Sequence, residues 1–159
     1  MTTRSAVAAA LIVGLAAAGC GGGKSKSSSS TSTATTAALS KPVFLSKGNA
    51  ICKRGNDQIN AAGRRVFTKN RPPTRAQLTK FAQSAIPIIQ REITGVRALP
   101  APVADRARVK KLVDAAQTAL NKVKANPALF AGKTDPFKDA NKLARSYGLT
   151  VCGAGGPSG

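Results

Sequence analysis

Residues 44–66, FLSKGNAICKRGNDQINAAGRRV, decide the fold class of this 159-residue chain. Phe44, Gly48, Ile51, Cys52, Gly55, Ile59, Ala62 and Val66 recur at steps of three and four. That spacing gathers them on one face of an α-helix. Gly48, Gly55 and Ala62 fall seven apart on the face. Glycine costs a helix interior up to about 1 kcal/mol, so its use here predicts a neighbour that packs closely. Cys52 shares the face, where a disulfide would be buried. Asn70-Arg71-Pro72-Pro73 closes the segment, because a residue before proline avoids the helical conformation.

The same periodicity continues outward from this helix. Thr74 with Gln77 three residues later is a capping-box pattern that opens a second helix. Its apolar face runs Leu78, Phe81, Ala85, Ile89, Ile93 and Val96, and Pro87 inside it predicts a kink. Leu99-Pro100-Ala101-Pro102 is the stop. A third helix carries Val109, Leu112, Val113, Ala116, Leu120 and Val123 on one stripe. A short fourth begins with Asp135 as N-cap and Pro136 in the first turn. It presents Phe137, Ala140, Ala144 and Tyr147, then ends at Gly148. No alternating run reads as a strand. These elements predict an all-α domain over residues 40–153, a four-helix antiparallel bundle, with a frayed tail over 154–159.

Upstream, Arg4 precedes an uncharged Ala-rich run, Ala6 to Ala18, that ends in Ala17-Ala18-Gly19-Cys20. One positive charge, a short apolar segment and small residues before a cysteine make an export signal. The four residues resemble the bacterial lipobox, although that motif prefers Leu where Ala17 stands. The expectation is a signal peptide over residues 1–19 and a diacylglyceryl (palmitate-type) modification on Cys20. That would place the protein on the outer face of the cell membrane. Residues 20–39, rich in Gly, Ser and Thr, read as a flexible tether with an r.m.s. span of about 25 Å. With Cys20 lipidated, Cys52 and Cys152 remain, and an oxidising exterior favours their pairing. Closing a loop of that size contributes roughly 4–5 kcal/mol in the chain-entropy model.

Phe44 with Ile51-Cys52, Leu99-Pro100-Ala101-Pro102, Asp135-Pro136-Phe137, and Tyr147-Gly148-Leu149 with Cys152-Gly153 resemble a group of small exported lipoproteins of actinobacterial type. The resemblance spans the folded domain. Its motifs are caps, core positions and a cysteine pair, so it implies architecture and transfers no catalytic residue.

Chemistry is sparse. There is no histidine, which removes the commonest general base and zinc ligand. The chain has six acids: Asp57, Glu92, Asp105, Asp114, Asp135 and Asp139. No P-loop, dinucleotide fingerprint or nucleophile elbow is present. The expectation is therefore a non-enzyme with no cofactor and no metal site. Asp105 has Arg108 three residues on as a local partner. Glu92 falls at the edge of the second apolar stripe, beside Ala85, Ile88 and Leu99. Buried charges are usually paired, which predicts an ion pair between Glu92 and an Arg or Lys. Glu92 unpaired in a cavity would instead mark a site.

The charge balance, 25 Lys+Arg against 6 Asp+Glu for a net +19, points to anionic partners. Candidate anion-binding residues are Arg64, Arg65, Arg106, Arg108, Lys110 and Lys111. Outside a cell the abundant polyanions are lipid head groups and wall polymers, each nearby cation contributing about 1 kcal/mol at a membrane surface. The functional expectation is thus a tethered basic module that associates with the anionic envelope. Two alternatives stand beside it: an interaction subunit of an envelope protein complex, and a bundle that binds a small hydrophobic ligand between its helices. Nucleic acid is disfavoured by export and by aromatic residues that sit at core positions.

Overall fold

The computed structural model describes residues 37–68 and 70–154. The chain divides into two units, residues 1–34 and 35–159, and the described residues belong to the second. The expected signal peptide, Cys20, most of the tether and the tail beyond residue 154 lie outside them. The described residues form four α-helices and no strand. They are α1 (Lys41–Val66), α2 (Arg75–Ala98), α3 (Arg106–Ala125) and α4 (Lys138–Tyr147). Short 3-10 turns at Val103–Asp105 and Pro127–Ala131 precede α3 and α4.

Local chemistry accounts for the helix ends. Pro42 in the first turn of α1 has a preset φ and lacks an N–H that would go unpaired there. Thr74 and Gln77 form the reciprocal capping box: Gln77 N–H donates to Thr74 Oγ1 at 3.2 Å, and Thr74 N–H to Gln77 Oε1 at 2.9 Å. The Gln77 side-chain amide also donates to the Val66 carbonyl at 2.9 Å, which joins the start of α2 to the end of α1. Helix α2 continues on both sides of Pro87, an exposed residue. Gly148 ends α4 with φ 107°, a left-handed conformation that a side chain would disfavour. Its N–H and that of Leu149 return to the carbonyls of Arg145 and Ala144, the Schellman arrangement.

The fourth helix starts later than the expected cap. Asp135 Oδ1 accepts the Phe137 N–H at 2.8 Å, and Oδ2 accepts from the Asn141 amide at 2.8 Å. Asp135 therefore holds the turn that leads into α4, and the helix itself begins at Lys138.

Two groups of buried side chains hold the helices together. The larger contains Phe44, Ile93, Val96, Leu112, Val113, Leu120, Tyr147 and Leu149. Complete burial of a side chain such as Phe44, Leu120 or Leu149 contributes about 1.5–3 kcal/mol. The smaller contains Ile59, Ala62, Phe81, Ala85 and Ile88. Phe67 and Phe130 pack on Phe81, with ring centroids 5.0 and 5.1 Å away. Leu39, inside the expected tether, packs on the larger group and donates to the Pro100 carbonyl at 3.0 Å.

The C-terminal segment folds back onto α1. Cys52 and Cys152 form a disulfide across a sequence separation of 100 residues. Val151 N–H donates to Asn49 Oδ1 at 3.0 Å, and Asn56 Nδ2 donates to the Val151 carbonyl at 3.2 Å. Gly48 makes room for this return, because a Cβ there would lie 2.6 Å from a Leu149 methyl.

Candidate functional site

Between the helices lies a cavity of about 390 Å³. Cys52, Asn56 and Ile59 line it from α1; Ile89, Glu92, Ile93 and Val96 from α2; Leu112, Val113 and Ala116 from α3. The connection over residues 129–137 and the inner face of α4, Ala140, Asn141 and Ala144, complete the wall. The stripes that the periodicity assigned to the core thus stop short of full closure. A volume of this size falls in the range of small-molecule pockets, about 300–1,000 Å³.

Glu92 is the chemical centre of the cavity. The expected ion pair does not form: none of the described Lys or Arg residues lies within salt-bridge distance of it. Its Oε1 is the one buried side-chain oxygen or nitrogen, among the described residues, with no hydrogen-bond partner. The physical reason is direction. The helical turn that puts Glu92 at the edge of the apolar face aims its carboxyl inward, while the lysines and arginines extend outward to water. Desolvation by burial pushes the Glu92 carboxyl up from 4.5 to about 7.

Gly55 makes this placement geometrically feasible. A Cβ on Gly55 would stand 1.9 Å from Glu92 Oε1 and 2.3 Å from its carboxyl carbon. The expected close approach to Gly55 is therefore made by a carboxyl group rather than by a helix backbone.

A second, half-buried acid is arranged differently. Asp105 Oδ2 accepts from the Tyr147 hydroxyl at 3.0 Å, and Lys41 Nζ lies 3.7 Å away. Lys41 also stands 4.7 Å above the Tyr147 ring, with the Arg108 guanidinium at 6.0 Å. The expected Asp105–Arg108 pair is replaced by one to Lys41, because the 3-10 turn before α3 directs Asp105 toward α1. Burial, and then the Asp105 carboxylate, push the Tyr147 hydroxyl up to about 12.

The six candidate anion-binding residues are all exposed, but they form two groups. Arg64 and Arg65 occupy the last turn of α1. Arg106, Arg108, Lys110 and Lys111 occupy the start of α3, near Lys41 at the other end of α1. At 1.5 Å per residue the groups stand about 35 Å apart. Lys110 is also paired with Asp114. Val43 and Val103 are the exposed large apolar side chains among the described residues.

Among the described residues no cluster of His, Cys, Asp and Glu could hold a metal ion. No described helix is long and apolar enough to cross a membrane. No family model, curated protein or solved structure matches the chain.

Sequence reasoning overlooked Asn56, Asn141 and the connection that carries Leu129 and Phe130. For the connection a signal exists. Asn126-Pro127 is a turn start, and Asn126 Oδ1 accepts the Ala128 N–H at 3.1 Å. The two asparagines carry no comparable mark, since their partners Val151 and Asp135 are defined only by the fold.

Proposed function

We propose that this chain is a non-enzymatic, lipid-anchored extracytoplasmic protein whose antiparallel helical bundle binds a small, largely apolar ligand beside Glu92. One observation carries the ligand reading. A cavity of about 390 Å³ bounded by all four helices keeps a carboxyl oxygen without a partner among the described residues. Buried polar groups are normally hydrogen-bonded, and a group left over at a cavity is suited to a ligand. The anchoring part rests on Arg4, the Ala-rich run and Cys20.

A second reading has the positive surface associating with anionic lipids or wall polymers. It draws on the exposure of Arg64, Arg65, Arg106, Arg108 and Lys111. Their division into two distant groups favours diffuse attraction over a dedicated site.

The neutral fluorophore N-phenyl-1-naphthylamine tests the ligand reading on the unlipidated protein. A saturable one-to-one fluorescence rise is expected, and it should be lost in Ala116→Phe, which fills the cavity from α3. Absence of saturable binding to the wild type would remove the reading. So would undiminished binding to a folded Ala116→Phe. Addition of anionic vesicles at low salt examines the second reading in the same samples, where no salt-sensitive co-sedimentation would dismiss it.

A further inference from the structure

The charge of the cavity wall is inverted relative to the rest of the molecule. The chain has 25 Lys+Arg and 6 Asp+Glu. Among the described residues that line the cavity there is no Lys or Arg, whereas two acids, Glu92 and Asp135, do line it. The acids hold different positions. Asp135 is exposed at the rim, and both of its oxygens already accept hydrogen bonds, from Phe137 N–H and from Asn141. Glu92 is further in and its Oε1 is unmatched. The chain is rich in basic side chains, yet none of the described ones pairs with Glu92. Ile89, Ile93, Val113 and Ala116 give the same cavity an aliphatic part of its wall.

We infer that the cavity takes a basic ligand: a compact apolar molecule bearing one amine, whose ammonium group pairs with the Glu92 carboxylate. This rests on the small-ligand reading above and names the chemistry of that ligand. The apolar body of the ligand meets the aliphatic wall, and the ammonium supplies the donor that no described protein group supplies. An ion pair formed there is little screened by solvent, so it discriminates more strongly than one on the surface. Beside Glu92 a carboxylate ligand would meet a like charge, and an alcohol would offer a single hydrogen bond without the countercharge. The surface charge works in the opposite sense, repelling cations and attracting anions. A preference for amines is therefore a signature of the cavity and cannot arise from the surface field.

Three molecules of matched shape test the inference: 4-phenylbutylamine, 4-phenylbutanol and 4-phenylbutyrate, titrated calorimetrically into the folded protein at about 0.15 M salt. The amine is expected to bind about tenfold or more tighter than the alcohol, as for a hydrogen bond to a charged partner. Glu92→Gln should abolish that preference with a smaller loss for the alcohol than for the amine, and saturable alcohol binding also reports that the variant is folded. The wild-type ratio of amine to alcohol is read without any variant, so a misfolded Glu92→Gln does not remove the test. Binding of the alcohol as tightly as the amine, tightest binding of the butyrate, or an amine preference that survives Glu92→Gln would each overturn the basic-ligand inference alone. Failure of both amine and alcohol to bind would overturn the small-ligand reading itself.

Discussion

Asp105 and Glu92 are both acids drawn in among the helices, and their surroundings share little. Asp105, with a side chain 15% exposed, meets the Tyr147 hydroxyl and the Lys41 ammonium. Glu92 shares its cavity with aliphatic side chains and lies against Gly55, and its Oε1 meets no donor among the described residues. The first acid knits the beginning of α1 to the start of α3 and the end of α4. The second connects nothing. In a chain with this excess of base, satisfying an acid is easy wherever the acid lies near the surface. Leaving one unsatisfied inside is a net cost to the fold, and such costs concentrate at places that serve another purpose.

Removing the charge from Glu92 should have the largest effect of any change at the two acids. In the unfolded chain its carboxyl titrates near 4.5, and in the folded protein at about 7. Between those values the folded state binds a proton that the unfolded state does not, so stability falls as pH rises through the interval and levels off above it. Urea unfolding from about pH 4.5 to pH 8 should show the wild type losing roughly 2–3 kcal/mol from this group, as 1.36 kcal/mol per unit implies. Glu92→Gln should lack that decline. Parallel profiles for the two proteins would mean that Glu92 is satisfied in solution.

Gly55→Ala sharpens the same side. The added methyl would overlap Glu92 Oε1, and overpacking of this kind costs about 1–3 kcal/mol. In a Glu92→Ala background the overlap is gone, and alanine's higher helix propensity should turn the cost into a gain of up to about 1 kcal/mol. A double-mutant cycle by thermal or urea unfolding measures the coupling. Additive effects would place the carboxyl away from Gly55.

The Asp105 side should respond least. Tyr147→Phe removes one hydroxyl from a partnered acid and is expected to cost about 1 kcal/mol. Lys41→Ala should change stability by less than about 0.5 kcal/mol, since its ammonium is well exposed and solvent screens the pair. If unfolding curves gave Lys41→Ala the larger loss, the order of the two contacts to Asp105 would be reversed.

Much of the helical framework is legible in the residues themselves. The three-and-four spacing from Phe44 to Val66 marks the buried face of α1, and Thr74 with Gln77 marks the start of α2. Gly148 marks the end of α4, and two cysteines in helical and return segments mark the staple. Each of these signals is local or pairwise, so neighbours along the chain suffice to read it. The late start of α4 and the pairing of Asp105 with Lys41 are not local. In the first case a carboxylate chose a turn over a helix cap, and in the second the competing cation came from 64 positions earlier in the numbering.

The candidate site shows the same division. Glu92 stands out in sequence as an acid at the edge of an apolar stripe, and Gly55 as a glycine where a helix prefers another residue. By itself the sequence determined the helices, their buried faces, the Thr74 and Gly148 caps and the disulfide, because backbone geometry and side-chain periodicity act over a few residues. Only the tertiary structure decided that the four faces leave about 390 Å³ of space between them, that no basic side chain among the described residues lines it, and that Gly55 and Glu92 meet. Those outcomes depend on how residues from all four helices share one volume. Packing of that kind is a property of the assembled core and not of any single segment.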